Sequence, residues 1–125
     1  MILYHGSDRL DSLKNIVEKG FDLNKIGSGW GTTYGNGVYF TDNLEVANKV
    51  YSNNSGYVLK VTIEVNVLKL YNDYSVSNKK KINNIISKYI TNKNYNMIIT
   101  NSKEPEYILF DIDCINKIEL LHVYH

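Results

Sequence analysis

Three short segments place an imidazole, a phenol ring and a carboxylate on separate extended stretches of the chain. They are Tyr4-His5-Gly6-Ser7, Gly35-Asn36-Gly37-Val38-Tyr39-Phe40-Thr41 and Glu106-Tyr107-Ile108-Leu109-Phe110-Asp111. An imidazole both donates to and accepts from sugar hydroxyls. A tyrosine ring offers a face to a planar heterocycle. A carboxylate complements the positive charge that develops on a sugar as its glycosidic bond breaks. Together these groups suit the holding of a dinucleotide and the stabilisation of a cationic sugar. Gly6 lets a ligand approach the backbone closely, and Gly35 and Gly37 permit close passage of a neighbouring loop. Each residue also has a plainer reading: Glu106 as an acid opening an edge strand, His5 as a satisfied strand-end histidine, and Tyr39 as one core tyrosine among eleven.

On these segments, with Gly20-Phe21-Asp22 adding to the match, the chain resembles the His-Tyr-Glu ADP-ribosyltransferases, the group that includes diphtheria toxin and the poly(ADP-ribose) polymerases. The likeness runs from Tyr4 to about Ile115. It implies an α+β fold of two packed antiparallel β-sheets around an NAD cleft, with flanking helices. By the same resemblance His5 bonds the adenosine ribose, Gly6 and Ser7 meet the nicotinamide carboxamide, Tyr39 stacks on nicotinamide, and Glu106 bonds the 2′-hydroxyl of the nicotinamide ribose. His5, Tyr39 and Glu106 form the expected catalytic set.

The chain departs from that pattern at two positions. Relatives in the polymerase branch carry a carboxamide-binding serine in the helix after the tyrosine motif, where this chain has Ala47; one nicotinamide hydrogen bond is then either missing or supplied by Ser7. The second stacking tyrosine commonly lies eleven residues beyond the first, where this chain has Val50, with Tyr51 one further on. Tyr51 is the expected second aromatic and Tyr34 the alternative. Glu104 and Glu106, two apart on a strand, point to the same side. That pair resembles the arginine-targeting transferases, so Glu104 is a candidate for contact with an acceptor.

The activity implied is mono-ADP-ribosyl transfer: cleavage of the nicotinamide–ribose bond of NAD and transfer of ADP-ribose to a macromolecular acceptor, protein or nucleic acid. Single transfer is favoured over polymer formation because no accessory domain is present. An NAD glycohydrolase and a non-catalytic module binding NAD or ADP-ribose are the alternatives. NAD is a co-substrate, and no metal is expected, since His122 and His125 have no partners at metal-ligand spacing.

The elements that must position these residues follow from patterning. Residues 1–5 read as a strand. Asp8 or Asp11 then caps a helix with Leu10, Leu13, Ile16 and Val17 on one face, ending at Gly20. Residues 22–36, broken by four glycines, read as a long surface loop and hence a lid. In residues 37–41, Val38 and Phe40 alternate with Tyr39 and Thr41, which turns Tyr39 towards a cleft if the aliphatic side is core. Asp42 and Glu45 have the form of a capping box for a helix reaching about Tyr51. Strands are expected over 57–65, 67–71, 97–100, 106–110 and 117–123, with a helix over 77–90. Short connectors favour antiparallel pairing.

With 125 residues, 43% hydrophobic and 22% charged, the composition is that of one globular domain spanning 1–125. A formal net charge of +1 supplies no global field for nucleic acid or anionic membrane, and Lys79, Lys80 and Lys81 read as a solvated helix face. Cys114 is the only cysteine, which excludes a disulfide scaffold and is compatible with the cytoplasm or another reducing compartment. No signal peptide and no run of about 20 apolar residues is present, so no membrane partner is expected, and the chain is expected to act as a monomer.

Overall fold

A computed structural model describes residues 1–22, 37–64, 70–71, 84, 96–100 and 104–123. The chain is α+β, with strands β1 (Ile2–His5), β2 (Val38–Phe40), β3 (Tyr57–Ile63), β4 (Leu70–Tyr71), β5 (Met97–Ile99), β6 (Tyr107–Leu109) and β7 (Ile115–His122). Helix α1 spans Leu10–Lys19; the short α2, Leu44–Val46, runs directly into a π-helical turn, Ala47–Tyr51. One sheet has the order β1-β3-β7 and the other β2-β6-β5-β4. They meet where Tyr4 and Thr41 exchange backbone hydrogen bonds of 2.8 and 2.9 Å.

The apolar alternation noted in the sequence builds the core. Leu3 of β1, Val38 and Phe40 of β2, Leu59, Val61 and Ile63 of β3, Met97 of β5 and Leu109 of β6 form one buried cluster with Leu13 of α1. Ile16 packs on its edge, whereas Val17, expected on the same face, is 42% exposed. Gly20 ends α1 at φ 80°, as the sequence suggests.

Four details differ from expectation. Helix α1 is entered at Arg9 with no side-chain cap, because neither Asp8 nor Asp11 stands at the cap position; Ser7 Oγ accepts from the Arg9 N–H at 3.1 Å instead. Helix α2 is capped by Asn43, not Asp42. Asn43 Oδ1 accepts from the N–H groups of Glu45 and Val46 at 3.0 and 3.3 Å, while Asp42 accepts from the Tyr107 hydroxyl at 3.0 Å. Strand β4 pairs with β5 in parallel, the one departure from antiparallel pairing among the described strands. A parallel pair needs a crossover of about a dozen residues or more, and 72–96 supplies that length. A register shift between Thr62 and Ile63 lets β3 pair first with Lys117 and then with Ile115. The expected lid, and the helix over 77–90 with Lys79, Lys80 and Lys81, lie outside the described residues except for Asp22 and the helical Asn84.

Candidate functional site

Glu106 is fixed by its own backbone before its side chain does anything. Its N–H donates to Thr100 Oγ1 at 2.9 Å, and its carbonyl accepts from the Thr100 N–H at 2.9 Å, so the β5/β6 ladder extends one step past the regular strands. The β2/β6 register, with Tyr39 facing Ile108 and Phe40 facing Tyr107, sets Glu106 opposite Thr41 when continued by one residue. Residues directly opposite in an antiparallel pair share a face, as do residues two apart. Tyr39, Thr41 and Glu106 therefore lie on one side of the sheet, while Val38 and Phe40 enter the core on the other.

Onto that side comes Tyr51. Its hydroxyl donates to Glu106 Oε1 at 2.9 Å across 55 residues of sequence. The phenol is pushed well above the ordinary tyrosine range, first by burial, then by the charge and hydrogen bond of Glu106 and by the charge of Glu104. It is therefore a hydrogen-bond donor throughout the physiological range. Glu106 Oε2 is buried and, among the described residues, has no hydrogen-bond partner.

The π-helical turn explains how Tyr51 arrives there. A π-turn accommodates one more residue than an α-turn, and the bond that closes it runs from the Ser52 N–H to the Ala47 carbonyl at 2.9 Å. Val50 is 59% exposed, and Tyr51 is the aromatic that turns inward. The turn thus brings Tyr51, and not Val50, to the inward side.

His5 joins this group through the main chain. Its Nδ1 lies 2.8 Å from the Tyr39 carbonyl oxygen. A carbonyl only accepts, so Nδ1 carries the proton and Nε2 is left as an acceptor in the neutral ring. The imidazole sits edge-on to Phe21 and Phe40, at centroid distances of 5.1 and 5.9 Å. Burial lowers its pKa, partly offset by the bond to Tyr39. His5 thus meets the backbone of Tyr39 rather than its ring, which is itself buried.

Gly6 and Ser7 pack against the π-turn. A Cβ on Gly6 would come within 2.6 Å of the Ala47 carbonyl oxygen and Ser52 Oγ and 2.7 Å of Tyr51 Cβ, so the absence of a side chain here serves chain-to-chain packing. The Ser7 N–H donates to Ser52 Oγ at 3.1 Å. Ser52, fully buried beside Ala47, is a hydroxyl that the sequence reading passed over; its position immediately after Tyr51 was the available signal. Tyr4, the first residue of the His5 segment, joins the two sheets through its backbone, a link of which the sequence carries no sign. Glu104 is exposed and close enough for its charge to act on Tyr51. Tyr34 lies outside the described residues.

Residues 1–106 match the family model for the poly(ADP-ribose) polymerase catalytic domain. The chain belongs to this family. The matched stretch begins at β1 and ends on Glu106, so it takes in both partners of the Tyr51–Glu106 hydrogen bond. Members of the poly(ADP-ribose) polymerase family use NAD as substrate, and ADP-ribosyltransferase activity in general follows from the membership. No curated protein matches the chain. Among the described residues, no three His, Cys, Asp or Glu side chains group to hold a metal, and His122 stacks on Tyr57 at 4.6 Å. Among them, too, no helix is long and apolar enough to cross a membrane.

Proposed function

We propose that this chain is a mono-ADP-ribosyltransferase that cleaves the nicotinamide–ribose bond of NAD and passes ADP-ribose to a macromolecular acceptor. The observation that carries the reading is the Glu106 carboxylate: one oxygen is held by Tyr51 and the other is buried without a partner among the described residues. An unsatisfied buried oxygen on a charged group is costly, and a ribose hydroxyl is the donor that would satisfy it.

In this reading Glu106 Oε2 accepts the ribose 2′-hydroxyl, and the carboxylate charge favours the electron-poor sugar formed as the carbon–nitrogen bond breaks. The bonding pair leaves with nicotinamide, and the acceptor nucleophile forms the new bond to the ribose carbon as it loses its proton. Tyr39 supplies a ring face to nicotinamide, with Tyr51 as the second. His5 Nε2 accepts from the adenosine ribose, and the Gly6 backbone, with the Ser7 hydroxyl beside it, meets the carboxamide. Glu104, whose charge acts on Tyr51, attracts a cationic acceptor group in this reading.

The test is Glu106→Gln. Nicotinamide release is expected to fall by about a hundredfold or more, with NAD affinity by calorimetry unchanged within about threefold; parallel loss of both would make Glu106 structural. Labelled NAD incubated with lysate, followed by protease or nuclease digestion, identifies the acceptor class. Nicotinamide release with no label on macromolecules would make the protein a glycohydrolase, and NAD binding with no release would make it a binding module.

A further inference from the structure

The same site carries an inference that rests on the transferase reading and deepens it. We infer that the Tyr51 hydroxyl is a positioning group for the Glu106 carboxylate, holding Oε1 so that Oε2 alone is presented to the ribose hydroxyl. Main-chain bonds to Thr100 on both sides fix where the Glu106 side chain begins, but they leave its own rotations free. The 2.9 Å bond from Tyr51 stops those rotations and makes the two carboxylate oxygens inequivalent. The donor comes from the inward side of the π-turn, and Gly6 seats that turn by admitting Tyr51 Cβ where no larger residue would fit. The ring of Tyr51 and its hydroxyl thus have separable tasks, the ring as a surface for a heterocycle and the hydroxyl as a clamp on the acid. The phenol remains protonated because ionising it beside Glu106, with Glu104 also near, is disfavoured.

Tyr51→Phe keeps the ring and removes the clamp. In nicotinamide release, kcat is expected to fall about ten- to a hundredfold, the size of a hydrogen bond to a charged group, with KM for NAD within about threefold. The carboxyl-carbon NMR resonance of Glu106, compared at one pH in protein without NAD, is expected to move in the variant, because the hydrogen bond to Oε1 is gone. Should Tyr51→Phe fold poorly, 3-fluorotyrosine at position 51 keeps the shape, strengthens the donor and is expected to move the same resonance in the opposite sense. An unmoved carboxyl resonance, an unchanged kcat in an active wild type, or an effect confined to KM would overturn the inference. A wild type that releases no nicotinamide would instead overturn the transferase reading, and the inference with it, even with the resonance moved.

Discussion

His5 Nδ1 and the Tyr39 carbonyl oxygen lie 2.8 Å apart, so the end of β1 reads the backbone of β2 directly. Burial lowers the His5 pKa from 6.5, which favours the neutral ring in the folded state. The unfolded chain therefore binds more protons than the folded one just below pH 6.5, and the stability contributed by neutral His5 is present above that pH and lost as pH falls through the folded value. The melting temperature is expected to drop as pH is lowered from about 7.5 to about 5. A His5→Gln variant is expected to be less stable at neutral pH but to show a flatter drop. Equal slopes in the two proteins would assign the acid sensitivity to other groups.

Gly6→Ala tests the seat of the π-turn. Contacts of 2.6 Å to the Ala47 carbonyl oxygen and 2.6 Å to Ser52 Oγ leave no room for a methyl group, and the first of these is backbone that cannot swing aside. Overpacking of this kind costs about 1–3 kcal/mol. A lower denaturant midpoint is expected together with slower nicotinamide release, since relief of the clash moves Tyr51 away from Glu106. Loss of activity with full stability would indicate instead that Gly6 serves the substrate alone.

Much of the local structure around these residues was legible in the sequence because its signals are local. The Glu106 segment, the alternation that turns Tyr39 away from Val38 and Phe40, and the glycine exit of α1 each depend on neighbouring residues. What was not legible depends on distant ones. The alignment offset between Val50 and Tyr51 gives no sign of how it is absorbed, because a π-turn differs from a helix end only in a hydrogen bond to Ala47. The role of Gly6 was read as access for a ligand because its neighbours Ser52 and Tyr51 come from another part of the chain. The parallel pairing of β4 follows from a crossover that no dipeptide signals.

The cap of α2 separates two adjacent residues by prediction. Asn43→Ala removes the acceptor for two N–H groups and is expected to cost about 1 kcal/mol. Asp42→Ala removes only an exposed bond to the Tyr107 hydroxyl and is expected to cost less than about 0.5 kcal/mol. Chemical denaturation of both variants checks the order, and a larger loss at Asp42 would return the cap to the capping-box position.

Deleting Val50 probes whether the additional residue of the π-turn is needed at all. Val50 is 59% exposed and lies outside the buried core cluster, whereas the ends of the turn and the residue after it are tied down, Ala47 and Ser52 by burial and Tyr51 by Glu106. Removing one residue from such a turn lets it close as an ordinary α-turn, with the flanking residues left where they are. The tyrosine then stands eleven positions after Tyr39, the spacing common among relatives. The deletion variant is expected to fold with stability within about 1 kcal/mol of the parent and to keep nicotinamide release within severalfold. A variant as slow as Tyr51→Phe would mean that the wider turn itself, and not merely the residue it delivers, sets the position of the hydroxyl against the Glu106 carboxylate.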